Sequence, residues 1–234
     1  MTDSSQSESA LSNHAIAQRI HRIRQSLPTS VRLIAVTKKV SVDAMRIAYE
    51  AGIRDFGESK IQEAALKQIE LKDLTDITWH LIGHLQNNKA QKALEQFHWL
   101  HSLDSLKLAQ RLNRLAANSP NALQVCLQVK VLPDPTKHGW TIQALLESLS
   151  SLNDCTNLRI AGLMTIPPYG LPTANIQSAF MNVRELANTI NQQGWSRIQI
   201  QHLSMGMSED YQLAIEAGAT MVRLGRILFG ARTE

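Results

Sequence analysis

Arg32-Leu33-Ile34-Ala35-Val36-Thr37-Lys38-Lys39 is followed, past a helical stretch, by Glu50-Ala51-Gly52-Ile53-Arg54-Asp55-Phe56-Gly57. The first segment is a continuous apolar run, as expected of a parallel strand buried on both faces. The second ends a helix on glycine, where a left-handed C′ residue carries no Cβ penalty, and turns straight into a strand. Glu216-Ala217-Gly218, leading into Ala219-Thr220-Met221-Val222-Arg223, repeats this punctuation near the other end of the chain. Strand, helix, strand in this order is a βα unit.

Working outward, apolar runs predict strands over 32–37, 54–57, 79–83, 99–102, 123–131, 159–164, 198–203 and 221–224. Helical patterns over 43–51, 59–71, 87–95, 105–117, 141–151, 173–193 and 208–217 fall between them. Eight units predict a closed (β/α)8 TIM barrel in the α/β class rather than an open sheet. A helix over 15–27, with Ile16, Ile20, Ile23 and Leu27 on one face, precedes the barrel and stops at Pro28. The Ser-rich, polar residues 1–10 read as disordered. Residues 11–234 read as one domain.

The chain has 234 residues, 44% of them hydrophobic, enough to fill one such barrel. Its 24 basic and 20 acidic residues are interspersed, so the net charge of +4 describes an ordinary surface. With only 5% aromatic residues and no dense Lys/Arg run, a nucleic-acid surface is not expected. There is neither an N-terminal apolar region nor a membrane-length apolar stretch. The two cysteines, Cys126 and Cys155, form no framework or CxxC pair, and Cys126 reads as a core residue. These features fit a cytoplasmic protein.

In such a barrel chemistry belongs at the C-terminal strand ends. Lys38 falls there, after the first strand. Low-dielectric walls would lower its pKa and make it an amine nucleophile toward an aldehyde. Alternatively, the Lys38-Lys39 pair only solvates the strand end. Consecutive strand residues point to opposite sides, so one of the pair would face in and the other out. Ser204-Met205-Gly206-Met207-Ser208, after the seventh strand, suits an anion. Gly206 admits close backbone approach, the Ser204 hydroxyl donates, and Ser208 reads as the N-cap of the next helix. The same residues also suit a tight turn with no ligand. His80/His84 and His98/His101 lack metal-site patterns, and no metal is expected. Neither GxGxxG nor GxxxxGK[ST] occurs.

Several segments together resemble the pyridoxal phosphate homeostasis proteins, single barrels similar to the N-terminal domain of alanine racemases. They are Ala35-Val36-Thr37-Lys38, Phe56-Gly57-Glu58, Trp79-His80-Leu81-Ile82-Gly83-His84-Leu85-Gln86-Asn87-Asn88-Lys89, Lys137-His138-Gly139-Trp140, Gly162-Leu163-Met164, Leu203-Ser204-Met205-Gly206-Met207-Ser208, Arg223-Leu224-Gly225 and Phe229-Gly230. The resemblance runs from about Val31 to Gly230. It implies the alanine-racemase-like fold (PLP fold type III) and pyridoxal phosphate (PLP) as cofactor, bound to Lys38 as a Schiff base. It implies that Ser204, Gly206 and Gly225 hold the phosphate and that Arg223 lies near the pyridine ring or the phosphate. An arginine beside the ring nitrogen would keep it unprotonated, which suits a carrier better than a catalyst. Ser59, Lys130 and Arg226 depart from the family pattern, and Arg226 would add positive charge near the phosphate. The function implied is control of vitamin B6 and amino-acid balance without turnover. Its partners would be PLP and either PLP-dependent apoenzymes or a regulatory protein. The alternative is a PLP-dependent amino-acid racemase, which needs a base on each face of the Cα carbanion and, in alanine racemases, a second domain. A monomer is expected, because one barrel buries its own core.

Overall fold

The computed structural model describes residues 3–117, 123–134 and 136–230, with side chains from residue 14 onward. Eight strands carry the barrel: β1 (Arg32–Val36), β2 (Asp55–Glu58), β3 (Thr78–Leu81), β4 (Trp99–Leu103), β5 (Gln124–Lys130), β6 (Arg159–Met164), β7 (Ile198–Ser204) and β8 (Met221–Leu224). Every pairing is parallel, and the β4–β5 and β1–β8 pairings close the ring. The helices are α1 (Asp3–Ser26), α2 (Val42–Glu50), α3 (Ile61–Glu70), α4 (Ala90–Gln96), α5 (Leu106–Ala116), α6 (Ile142–Asn153), α7 (Thr173–Gln192), α8 (Tyr211–Glu216) and α9 (Arg226–Phe229).

The architecture is the (β/α)8 barrel expected; α9 is an added turn of helix after β8, and there are three further differences. First, α1 begins at Asp3 and includes residues 3–10, which composition alone reads as disordered. Extending an existing helix needs no new nucleus, so the amphipathic stretch can propagate backward into a polar one. Second, a two-residue strand, Trp140–Thr141, pairs with the outer end of β5. No two-residue strand has a readable period. Third, α8 starts at Tyr211, and Ser208 is not its N-cap. Asp210 Oδ1 accepts the Met207 N–H at 2.6 Å and closes a turn over 207–210. The Ser208 hydroxyl instead accepts the Ile227 N–H.

The glycine punctuation holds in detail. Gly52 and Gly218 have φ of +90° and +96°. After each, the C″ amide returns to the C3 carbonyl, Ile53 to Ala48 and Ala219 to Ala214, which is the Schellman arrangement.

Two hydrophobic layers result. The larger lies between strands and helices and includes the α1 face Ile16, Ile20 and Ile23. The smaller, Ile34, Trp99, Cys126, Ala161, Met164 and Met221, fills the barrel interior. Cys126 is a core residue, its thiol pushed up to about 12 by burial. Among the described residues no helix is long and apolar enough to cross a membrane.

Candidate functional site

Ring order puts β7, β8 and β1 side by side, so their C-terminal ends form one sector of the mouth. Ser204 and Gly206 lie at the end of β7, Arg223 and Gly225 at the end of β8, and Lys38 just past β1. The structure therefore brings together all five residues singled out in the sequence.

Lys38 and Lys39 are the central residues of a tight turn closed by the Val40 N–H to the Thr37 carbonyl at 2.9 Å. Lys39 has φ +60°, the value a type II-like turn demands at its third position and which glycine usually supplies. Among the described residues it is the only non-glycine with positive φ. Lys38 is half-buried and Lys39 exposed.

A buried ionic cluster holds this strained turn. Glu63 Oε1 accepts the Lys39 N–H at 2.6 Å. Lys67 Nζ, itself buried, donates to Glu63 (2.7 Å), Glu58 Oε1 (2.8 Å) and the Thr37 carbonyl (2.6 Å). Thr37 Oγ1 donates to the same Glu58 oxygen at 2.6 Å, while Glu58 Oε2 is buried without a hydrogen-bond partner. Burial pushes the Glu58 carboxyl up, against the hydrogen bonds from Lys67 and Thr37 that favour its charge. At Glu63 burial also works upward, yet the bonds from Lys67 and the Lys39 amide leave it below the usual carboxylate range. Lys67 sits on α3 in the guise of an ordinary helix lysine, and no sequence signal sets it apart.

Gly206 has φ +91°, and a Cβ there would lie 2.7 Å from Ala214 Cβ and 2.9 Å from Tyr211 Cα. Only glycine fits. Among the described residues, the N–H groups of Gly206 and Gly225 have no hydrogen-bond partner. They are donors available to an anion.

The Ser204 hydroxyl is not at the surface of this cup. It is fully buried, receives Arg223 at 2.6 Å and meets His101 Nδ1 at 2.8 Å. Behind it runs a chain of polar contacts through the barrel. His101 Nε2 meets His80 Nδ1 at 3.0 Å, and His80 Nε2 meets Asp55 Oδ1 at 2.9 Å. Burial drives the His80 imidazole down and that of His101 well down, so both are neutral at physiological pH. His80 also stacks on Trp99, ring centroids 6.0 Å apart and planes within 11°.

Arg223 is 3% exposed and also donates to the Thr165 carbonyl at 3.0 Å. Burial lowers its pKa to about 10, partly offset by Asp210. It stays a cation, and among the described residues no carboxylate lies within salt-bridge distance of it. A buried cation so placed favours an anionic ligand at the mouth. Of the three departures, Arg226 is spoken for: its guanidinium pairs with Glu209 at 2.6 Å on the exposed rim.

The family model of the alanine racemase N-terminal domain matches residues 11–233. The chain is 51% identical to the pyridoxal phosphate homeostasis protein of Synechocystis sp., covering 88% of this chain and 94% of that one. It is 42% identical to the Pseudomonas aeruginosa protein of the same name, over 93% of both. Among solved structures, PipY of Synechococcus elongatus with PLP bound superposes with a TM-score of 0.88 at 48% identity, covering 92% of this chain and all of that one. A Clostridium difficile alanine racemase superposes with a TM-score of 0.74 at 16% identity over 58% of its own length, a likeness of fold alone. This chain belongs to the pyridoxal phosphate homeostasis protein family, built on the alanine racemase N-terminal domain.

Proposed function

We propose that this protein binds PLP and serves in intracellular vitamin B6 and amino-acid homeostasis, with Lys38 carrying the cofactor. One observation supports this most: a half-buried lysine, two unengaged backbone N–H groups and a buried arginine lie at three adjacent strand ends. When bound, PLP supplies an aldehyde for the lysine and a dianionic phosphate for the donors around it.

The residues fit that group. Lys38 is the amine for the Schiff base. The Gly206 and Gly225 N–H groups receive the phosphate, each charge-assisted bond contributing roughly 1.5–3 kcal/mol net. Two or three such bonds separate PLP from unphosphorylated pyridoxal by about two or more orders of magnitude in affinity. Ser204 acts from beneath, by fixing Arg223. Arg223 sets the positive potential of the mouth, beside the pyridine ring or the phosphate.

The protein is a carrier or regulator in this reading, not an enzyme with turnover. It acts as a cytoplasmic monomer of one domain over residues 11–234, delivering PLP to apoenzymes or signalling its level to a regulatory protein. PipY with PLP bound, at 48% identity, supports the cofactor. The racemase alternative has support only from fold.

The experiment is to add PLP to the purified protein, reduce with borohydride and map the modified peptide by mass spectrometry. One pyridoxyl group on Lys38 is expected. A protein that stays colourless with added PLP would overturn the proposal. Solvent-proton exchange at the Cα of alanine, at ordinary enzymatic rates of ~1 per second or more, would favour a racemase.

A further inference from the structure

We propose a second site, for a divalent transition metal of the zinc class, across the mouth from Lys38. Its ligands are His84, Asp104 and His138, which follow β3, β4 and β5. In an eight-stranded ring β4 lies opposite β8, so this sector faces the one described above.

The donors already converge. His84 Nδ1 lies 2.9 Å from Asp104 Oδ2, and His138 Nδ1 lies 3.8 Å from the same oxygen. One ligand atom from each of the three residues falls within 4.8 Å of the others. A tetrahedral ion with bonds of 2.0–2.2 Å needs ligand atoms about 3.3–3.6 Å apart. Shifts of about 1 Å or less per donor reach that spacing. The two imidazoles stack, centroids 3.7 Å apart and planes within 13°, so their lone pairs must splay to meet one ion. The His84 and His138 side chains are 39% and 61% exposed, with room to turn toward an ion, whereas Asp104 at 9% is the more enclosed member.

The backbone behind each ligand is tied down by a buried donor. Ser102 Oγ donates to the Gly83 carbonyl at 2.6 Å, next to His84. Trp140 Nε1 donates to the Leu103 carbonyl at 3.0 Å, next to Asp104. Gln128 Nε2 donates to the His138 carbonyl itself at 2.9 Å. The loops bearing His84 and His138 are thus tied to β4 and β5, the end of β4 before Asp104 is tied to Trp140, and together they present two nitrogens and one oxygen. That set suits Zn²⁺, Ni²⁺ or Co²⁺ rather than Mg²⁺, which prefers oxygen and water. Three protein ligands leave a fourth position open to water or to a donor from solution. The sequence reading expects no metal because it pairs histidines by local spacing; these two are 54 residues apart, and the aspartate lies between them.

The test is calorimetric titration of the metal-stripped full chain with Zn²⁺ and with Mg²⁺, backed by the visible spectrum of the Co²⁺ form. One equivalent of Zn²⁺ is expected, with tetrahedral-type Co²⁺ bands and no Mg²⁺ uptake. His138→Ala, at an exposed position that leaves the fold intact, should weaken Zn²⁺ by at least about tenfold and remove the Co²⁺ bands. Asp104→Asn should do the same. Zn²⁺ affinity unchanged in both variants would overturn the proposal, as would binding of Zn²⁺ only at several weak equivalent sites. The metal is read alone, so failure here leaves the reading of Lys38 untouched.

Discussion

Two segments of the mouth face each other across β8 and are supported by opposite means. The Lys38–Lys39 turn is strained and stands on ions: Lys67 clamps Glu58, Glu63 and the Thr37 carbonyl, and Glu63 holds the amide of a lysine at φ +60°. The Met205–Asp210 loop is relaxed, with glycine at its left-handed position, and behind Ser204 stands a chain of neutral imidazoles. A reactive side chain needs its backbone fixed by neighbours, whereas a backbone that itself donates to a ligand needs only the absence of a side chain. The first support is sensitive to loss of one charge, the second to gain of one proton.

The largest expected effect is at Lys38 itself. Lys38→Ala should abolish the covalent PLP absorbance band yet leave non-covalent PLP binding through the opposite loop, while Lys39→Ala should keep the band. Titration of both variants by absorbance checks this; loss of the band in Lys39→Ala would assign the wrong lysine. Next comes Lys67→Met, which strips the cation from buried Glu58 and from the partly exposed Glu63. Removing one partner of a buried pair costs about 3–5 kcal/mol. Urea unfolding should show a drop of this order, with the Lys38 band weakened; a change under ~1 kcal/mol would mean that the cluster does not hold the turn.

The imidazole side should respond to acid. His80 and His101 have pKa values lowered by burial, so the unfolded chain binds more protons than the native one below the free value of about 6.5. Their contribution is complete above that value and is lost as pH falls, by up to about 1.4 kcal/mol per pH unit for each imidazole. A melting temperature that falls from pH 7 to pH 5 is expected, and a flat profile would contradict it. The smallest effects form a pair of opposite sign. Gly206→Ala forces a Cβ onto Ala214 at φ +91° and should cost about 1–3 kcal/mol. It should also weaken PLP but not pyridoxal. Lys39→Gly should be neutral or stabilise by up to about 1 kcal/mol, because it relieves the left-handed lysine. If Lys39→Gly destabilised by more than Gly206→Ala, the assignment of strain would be reversed.

The barrel was legible because buried parallel strands write themselves as apolar runs and because Gly52 and Gly218 mark helix ends. Lys38, Gly206 and Gly225 were legible as residues at strand ends. Ser204 also lies at a strand end, but the sequence offers its hydroxyl as a donor to an anion, and the structure holds that hydroxyl between His101 and Arg223. The partners that turn it inward, His101 and Arg223, come from β4 and β8 and leave no local signature. Lys67 reads as helix surface, and only the fold of α3 against β2 and the turn after β1 buries it. α8 starts later than the pattern predicts because the Asp210 and Tyr211 amides go to the Met207 carbonyl and the Ser208 hydroxyl is taken by the distant Ile227 amide, a partner that composition cannot show.

The chain from Asp55 to Arg223 has a fixed sense. At one end stands a carboxylate, which as an anion can only accept; at the other a guanidinium, which can only donate. Between them His80, His101 and Ser204 each have one proton to give, and each must pass it the same way, toward Asp55. No member can reverse alone without leaving two protons face to face or two lone pairs opposed. The carboxylate at the floor of the barrel therefore sets the direction of each hydrogen bond in this chain up to the rim, and the guanidinium at the mouth meets an oxygen whose own proton is already turned away.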